Sequence, residues 1–159
     1  MQRFRPQNPD FENTVRDSFS RQPFMMLVGA RMERVAPGLC EIVLDHREDL
    51  TQQHGFFHGG LVSSIADSAA GYAAYSLYPE ESTVLTVDLK VNFLNPAEGA
   101  RLRARSEVVQ AGDILYHLKA DVFAEGEGQS VHCLTGYFSM MCLHGRKDTV
   151  NLGRTGEGT

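Results

Sequence analysis

The chain has 159 residues, a length that fits one domain. Hydrophobic residues make up 42% and charged residues 22%, an ordinary globular balance, and the net charge of −5 implies no general affinity for nucleic acid or a membrane surface. Three cysteines (Cys40, Cys133, Cys142) without CxxC spacing argue against a disulfide framework or a zinc site.

Residues 1–9 read as disordered, and MQRFRPQNPDF has no apolar signal core, so a cytoplasmic location is expected. Asn8-Pro9-Asp10 then reads as a helix start. The helix predicted from Asp10 to about Arg21 sets Phe11, Val15 and Phe19 on one face. Pro23 interrupts it, and Pro23-Phe24-Met25-Met26-Leu27 is an apolar segment expected against the core. Ala30 to Val35 and Leu39 to Asp45 flank Pro37-Gly38 and read as a hairpin. A polar loop spans 46–53.

The stretch 52–78, QQHGFFHGGLVSSIADSAAGYAAYSLY, organises the chain. Leu61, Ile65, Ala69, Ala73 and Leu77 recur about every fourth residue, as one helical face does. Ala66, Ala70 and Ala74 fill the next strip. A helix apolar nearly all round belongs inside protein, and this one is too short and too polar to span a membrane. Small residues (Ser63, Ser64, Ser68, Gly71) let neighbouring backbone come close.

Asp67 is the anomaly in that helix. A carboxylate in mid-helix gains nothing from the N-terminal dipole and is costly if buried unpaired. It is either a structural Asp, paired or capped, or a functional group. Gly59 and Gly60 leave the backbone N–H groups of the first turn uncovered, which suits an oxyanion; a tight turn is the plainer use of such a pair. Gly59 and Asp67 are eight residues apart, roughly 12 Å along a helix. One carbonyl cannot touch both from a single chain. If both act on it, two copies lie antiparallel and share sites, so a homodimer is the minimal active unit.

After the helix, Thr83 to Leu94 alternates, with Leu85, Val87, Leu89, Val91 and Phe93 on one predicted face and Thr86, Asp88, Lys90 and Asn92 on the other. Arg101 to Val109 is a further strand. Ala111-Gly112-Asp113 turns into Ile114–Ala124, and Gly126–Gly128 turns into Ser130–Leu143, which is apolar on both faces in places, consistent with a central position. Residues 144–159 read as a flexible tail. The fold class is α+β, an antiparallel sheet of about six strands wrapped round one long central helix.

HGFFHGGLVSSIADSAAGYAA resembles the HGG-x(6)-D signature of PaaI-type (THEM-like) hotdog-fold acyl-CoA thioesterases. VLTVDLKVNFLNPA, ARLRARSEVVQAGDILYHLKADVF and PFMMLVGARM resemble other segments of that family, so the likeness covers about residues 10–143, expected as a single hotdog domain. The resemblance implies hydrolysis of an acyl-CoA thioester to acid and CoA without metal or cofactor, in a dimer or a dimer of dimers. It implies Gly59 as the oxyanion donor, Asp67 of the partner subunit as general base or nucleophile, and Thr86 as a hydroxyl that positions water. Gln52 falls where many members carry Asn and keeps the amide. His58, Gly60 and Ser68 fall beside the implied site as substrate contacts.

Other chemistries fit less well. Ser63 and Ser64 lack a G-x-S-x-G elbow. The six histidines lack metal-ligand spacing. Hotdog hydratases carry a His five residues after the Asp, and position 72 here is Tyr. Arg101, Arg103 and Arg105 form either a solvated strand face or, through Arg101 and Arg103, contacts to the CoA phosphates. A non-catalytic acyl-CoA-binding or regulatory module remains the alternative, since fold does not fix function. The acyl group is not legible: Phe56, Phe57, Tyr72, Tyr75 and Met25-Met26 are core or pocket.

Overall fold

A computed structural model describes residues 4–148. Two short helices come first, α1 (Phe11–Ser20) and α2 (Pro23–Val28). The hairpin β1 (Arg31–Ala36) and β2 (Leu39–Asp45) follows, then the long helix α3 (Gly59–Tyr75). Four strands complete the chain: β3 (Ser82–Phe93), β4 (Arg101–Ala111), β5 (Leu115–Gly126) and β6 (Gln129–His144). They form one antiparallel sheet in the order β1-β2-β4-β5-β6-β3. The sheet wraps α3, the hotdog arrangement.

Local chemistry explains the boundaries. Pro23 takes the first position of α2, where a missing N–H costs nothing, and Gly29 ends that helix at φ 80°. Glu127 and Gly128 both have positive φ, so they make the two-residue turn that suits the twist of β5 and β6. The apolar side of α3 is fully enclosed: Val62, Ile65, Ala66, Ala69, Ala70, Ala73 and Ala74 are inaccessible. Alanines there let the sheet approach the helix backbone.

Residues 4–9 differ from the expectation of disorder. Phe4 packs beside Gly38, the Gln7 N–H donates to Leu77 O at 3.3 Å, and Asn8 is buried, its Nδ2 donating to Thr14 Oγ1 at 3.0 Å. At the other end, Arg21 Nη2 donates to Asp148 Oδ2 at 2.7 Å and Thr83 Oγ1 to Asp148 Oδ1 at 3.0 Å. The remainder of the expected tail, 149–159, and residues 1–3 lie outside the described residues.

β3 departs from its simple alternation, and the departure bears on function. The register against β6 slips between Thr86 and Asp88, leaving Val87 as the extra residue of a β-bulge. Before it, Val84 and Thr86 pair with Cys142 and Met140, whose buried side chains face α3; after it, Leu89, Val91 and Phe93 pair with the buried Phe138, Gly136 and Leu134. The bulge therefore moves Thr86 from the outer face, where the period placed it with Asp88 and Lys90, to the helix face. β3 is also the end of the sheet, so its apolar side chains are not covered within one protomer: Leu85, Leu89 and Phe93 are 54%, 44% and 57% exposed.

Candidate active site

The loop before α3 is tied down by backbone bonds. A bridge joins Thr51 and Phe57, the Phe57 N–H donates to Ala97 O at 2.9 Å, and the His58 N–H donates to Leu50 O at 3.0 Å. His58 then caps the helix. Its Nδ1 accepts the Gly60 N–H at 3.0 Å, which consumes one of the unpaired donors of the first turn and requires Nδ1 to be unprotonated. Gly60 suits this cap, because a Cβ there would fall 3.1 Å from Nδ1. Among the described residues, no acceptor stands against the Gly59 N–H. That amide is an open donor at the positive end of α3.

Gly59 lines a pocket of about 410 Å3 with Gln52, Phe56, Val62, Phe93 and Asn95. The Gln52 Oε1 accepts the His54 N–H at 2.5 Å, so the donor end of this amide, Nε2, is the part available to a ligand. The sequence-predicted trio Gln52, His58 and Gly59 thus converges at one end of α3.

Asp67 lies two turns further along, half-buried on the flank of α3 left uncovered by sheet and α2. The Thr86 hydroxyl donates to Asp67 Oδ1 at 2.8 Å. Burial raises the Asp67 pKa above the usual carboxylate value, and the Thr86 bond pulls it part of the way back. A carboxylate so placed is a better base than a solvated one. Because Thr86 Oγ1 gives its proton to Asp67, its lone pairs remain free to accept from a water, and Asp67 Oδ2 remains free to take that water's other proton.

Other predicted residues fall elsewhere. Ser68 is buried toward α2, its hydroxyl 3.4 Å from Gln22 Oε1, and lines neither pocket beside Gly59. Arg101 and Arg103 alternate with the buried Leu102 and Ala104, so they lie on the outer face of the sheet, away from α3. They are held there by carboxylates: Arg101 Nη2 and Arg103 Nε each reach Glu125 at 2.8 Å, and Arg103 also contacts Glu33 and Glu41. Tyr72 and Tyr75 are core residues, in aromatic contact with Phe19 and Tyr78. Asn95, which sequence reasoning passed over, lines the Gly59 pocket; the signal was its place at the end of β3 beside Pro96. No helix among the described residues is long and apolar enough to cross a membrane.

Known proteins match this architecture. The model of the thioesterase superfamily matches residues 54–131, the span from the α3 loop into β6. A thioesterase family protein from Silicibacter pomeroyi is 48% identical and superimposes with a TM-score of 0.84 over 85% of this chain and 99% of that one. The PaaI protein of the Escherichia coli phenylacetic acid degradation operon shares the fold at TM-score 0.76 and 16% identity, over 88% of this chain and 98% of its own. The medium/long-chain acyl-CoA thioesterase YigI of Salmonella typhimurium is 26% identical over 106 residues, 57% of this chain and 68% of YigI. Three archaeal relatives named for an expected esterase activity match over 61–65% of their lengths, so the chain spans a little under two thirds of these curated relatives. A helix-wrapping antiparallel sheet with a glycine-opened helix start defines a hotdog protein. The chain belongs to the thioesterase superfamily.

Two stability measurements test this geometry. His58→Ala removes the cap acceptor and is expected to cost about 1 kcal/mol in denaturant unfolding, while His58→Asn, which keeps an acceptor, recovers most of it. For Asp67 the folded-state pKa is raised, so the fold holds the proton more tightly than the unfolded chain does. Stability is therefore lost as pH rises from the ordinary value, 3.8, through the folded value. Asp67→Asn should raise the Tm at pH 7 and leave it unchanged near pH 3; an unchanged or lower Tm at pH 7 contradicts the assignment.

Proposed function

We propose that the protein hydrolyses acyl-CoA thioesters to free acid and CoA at sites shared between two antiparallel protomers. In this reading the Gly59 N–H of one protomer binds the oxyanion formed from the thioester carbonyl. Asp67 of the other takes a proton from water as Thr86 of that chain holds the water. The observation that carries the reading is the Thr86–Asp67 hydrogen bond of 2.8 Å on the open flank of α3, eight residues from an unengaged Gly59 N–H. Family membership and the likeness to YigI, named as an acyl-CoA thioesterase, support the substrate class.

The chemistry balances without a further reagent. Water attacks the carbonyl carbon as Asp67 Oδ2 accepts its proton. The tetrahedral oxyanion sits on the Gly59 amide and, within reach of the same pocket, the Gln52 Nε2. Collapse breaks the C–S bond, and the proton held by Asp67 returns to the departing thiolate. Dimerisation is supported by the terminal position of β3 and by its exposed Leu85, Val87 and Leu89. A second copy pairing along this edge would bring two α3 helices side by side in opposite directions.

Asp67→Asn is expected to lower kcat on acyl-CoA by roughly 100- to 10,000-fold while acyl-CoA still binds. Thr86→Val should lower kcat by about 10- to 100-fold and move the acid limb of kcat/KM to higher pH, because the bond that lowers the Asp67 pKa is gone. An acid limb that shifts downward would exclude Asp67 as the base.

Sharing of sites is tested by complementation. Gly59 is the first helical residue after the His58 cap, a position that accepts proline, so Gly59→Pro deletes the N–H while favouring the helix. Asp67→Asn and Gly59→Pro chains, each inactive alone, should regain roughly a quarter of wild-type activity when co-refolded, since half the dimers then hold one intact site of two. No recovery, with mixed dimers demonstrated, rules out the shared site.

A further inference from the structure

Two pockets flank the start of α3, and their chemistry differs. The pocket at Gly59, about 410 Å3, sets the amides of Gln52 and Asn95 among Phe56, Phe93 and Pro96. The other, about 350 Å3, opens at Gly60 between α2 and the first turns of α3. Its floor is Leu50 and Leu61, both nearly inaccessible, and its wall is Phe24 of α2, which is 47% exposed. Two hydroxyls also line it, and both have spent their protons: Thr51 Oγ1 donates to Glu48 O and Ser64 Oγ to Gly60 O, each at 2.7 Å. Asp49 stands at its margin, bound to Arg47 at 2.9 Å. The second pocket thus offers carbon surface, no hydroxyl donor and no unpaired cation to hold an anion: Asp49 is neutralised by Arg47, and the His58 ring, capped onto Gly60, completes the lining.

A CoA thioester is asymmetric about its carbonyl. One arm is the acyl group, and the other is a pantetheine chain with two amides. A carbonyl held on the Gly59 N–H sends its arms to opposite flanks of α3. The amide-bearing arm fits the pocket with Gln52 and Asn95, where its polar groups find partners. We infer that the pocket between α2 and α3 takes the acyl group, that this group is a hydrocarbon without a terminal carboxylate, and that Phe24 limits its length.

The inference rests on the proposed hydrolysis and deepens it. Phe24 can act as a fixed wall because α2 is anchored on both sides of it. Met25 and Val28 are buried in the core, Arg47 Nη1 donates to Val28 O at 3.2 Å, and Gln22 meets Ser68. Truncating a half-exposed side chain on such a helix enlarges the pocket without removing core packing.

The test compares wild type, Phe24→Ala and Phe24→Trp on saturated acyl-CoAs from butanoyl to tetradecanoyl and on succinyl-CoA, reading kcat/KM. Wild type is expected to favour hexanoyl- over succinyl-CoA by at least about 100-fold. Phe24→Ala should raise the tetradecanoyl-to-hexanoyl ratio roughly tenfold, and Phe24→Trp should lower it by a similar factor. A preference for succinyl-CoA overturns the assignment. So does a length profile that both Phe24 variants leave unchanged, and a profile that shifts instead with Phe93→Ala would move the acyl group to the other pocket. If wild type cleaves no member of the panel, the hydrolytic reading itself fails, and this inference with it.

Discussion

Burying α3 is the constraint from which the rest of the molecule follows. A helix whose inner face is Val62, Ile65, Ala66, Ala69, Ala70 and Ala73 cannot remain beside water, and each large apolar side chain fully enclosed contributes about 1.5–3 kcal/mol. One helix needs a curved sheet to enclose it, and four strands supply Ile42, Leu102, Leu118, Leu134 and Phe138 to do so. Enclosure from one side leaves a narrow uncovered strip. Gly59, Gly60, Ser63, Ser64 and Asp67 occupy it, so the residues with reactive potential lie where the core ends.

The bulge at Val87 then decides which strand groups meet that strip. With unbroken alternation, Thr86 would look outward beside Asp88, and Asp67 would be a carboxylate desolvated by its neighbours with no donor. One extra residue rotates the strand locally, so Thr86 reaches Asp67 and Phe93 still reaches Gly59. The same strand is the unpaired sheet edge. Its exposed leucines and the Thr86 hydroxyl that meets Asp67 are thus two consequences of one placement. Association along the edge would cover the apolar side chains and complete the site at the same time.

Much of this was legible in the residues. Periodicity located α3, Pro37-Gly38 and the Gly126–Gly128 turn located two hairpins, and the apolar excess of β6 marked it as internal. If Gly59 and Asp67 act on one carbonyl, the eight-residue gap between them calls for a second chain, and that condition is part of the proposal. What stayed hidden is what needs three dimensions. Alternation cannot reveal a bulge, since the pattern of β3 continues through Val87 while the backbone does not. It also cannot tell a buried apolar face from one waiting at an edge. The arginines of β4 read equally well as phosphate ligands until Glu33, Glu41 and Glu125 arrive from three other strands to hold them. Phe4 and Asn8 look like tail because their partners, Gly38 and the first turn of α1, are tertiary.

The raised pKa of Asp67 joins stability to chemistry. A fold selected for stability alone would place alanine there, as it does at Ala66, Ala70 and Ala74 on the same helix. Retaining a partly desolvated carboxylate destabilises the protomer wherever that group is ionised, and the single Thr86 bond offsets only part of this. The same desolvation makes the carboxylate more basic, which is useful only if a proton is to be moved. The Gly59 amide carries the complementary liability, an unpaired donor at the helix end. In the proposed reaction the two groups are complementary in sign: the carboxylate would take the proton of water as the amide takes the negative charge that water's attack creates. Separated by two turns of one helix, they cannot meet within a protomer, and the proposed antiparallel pair is the arrangement that would let both act on one carbonyl.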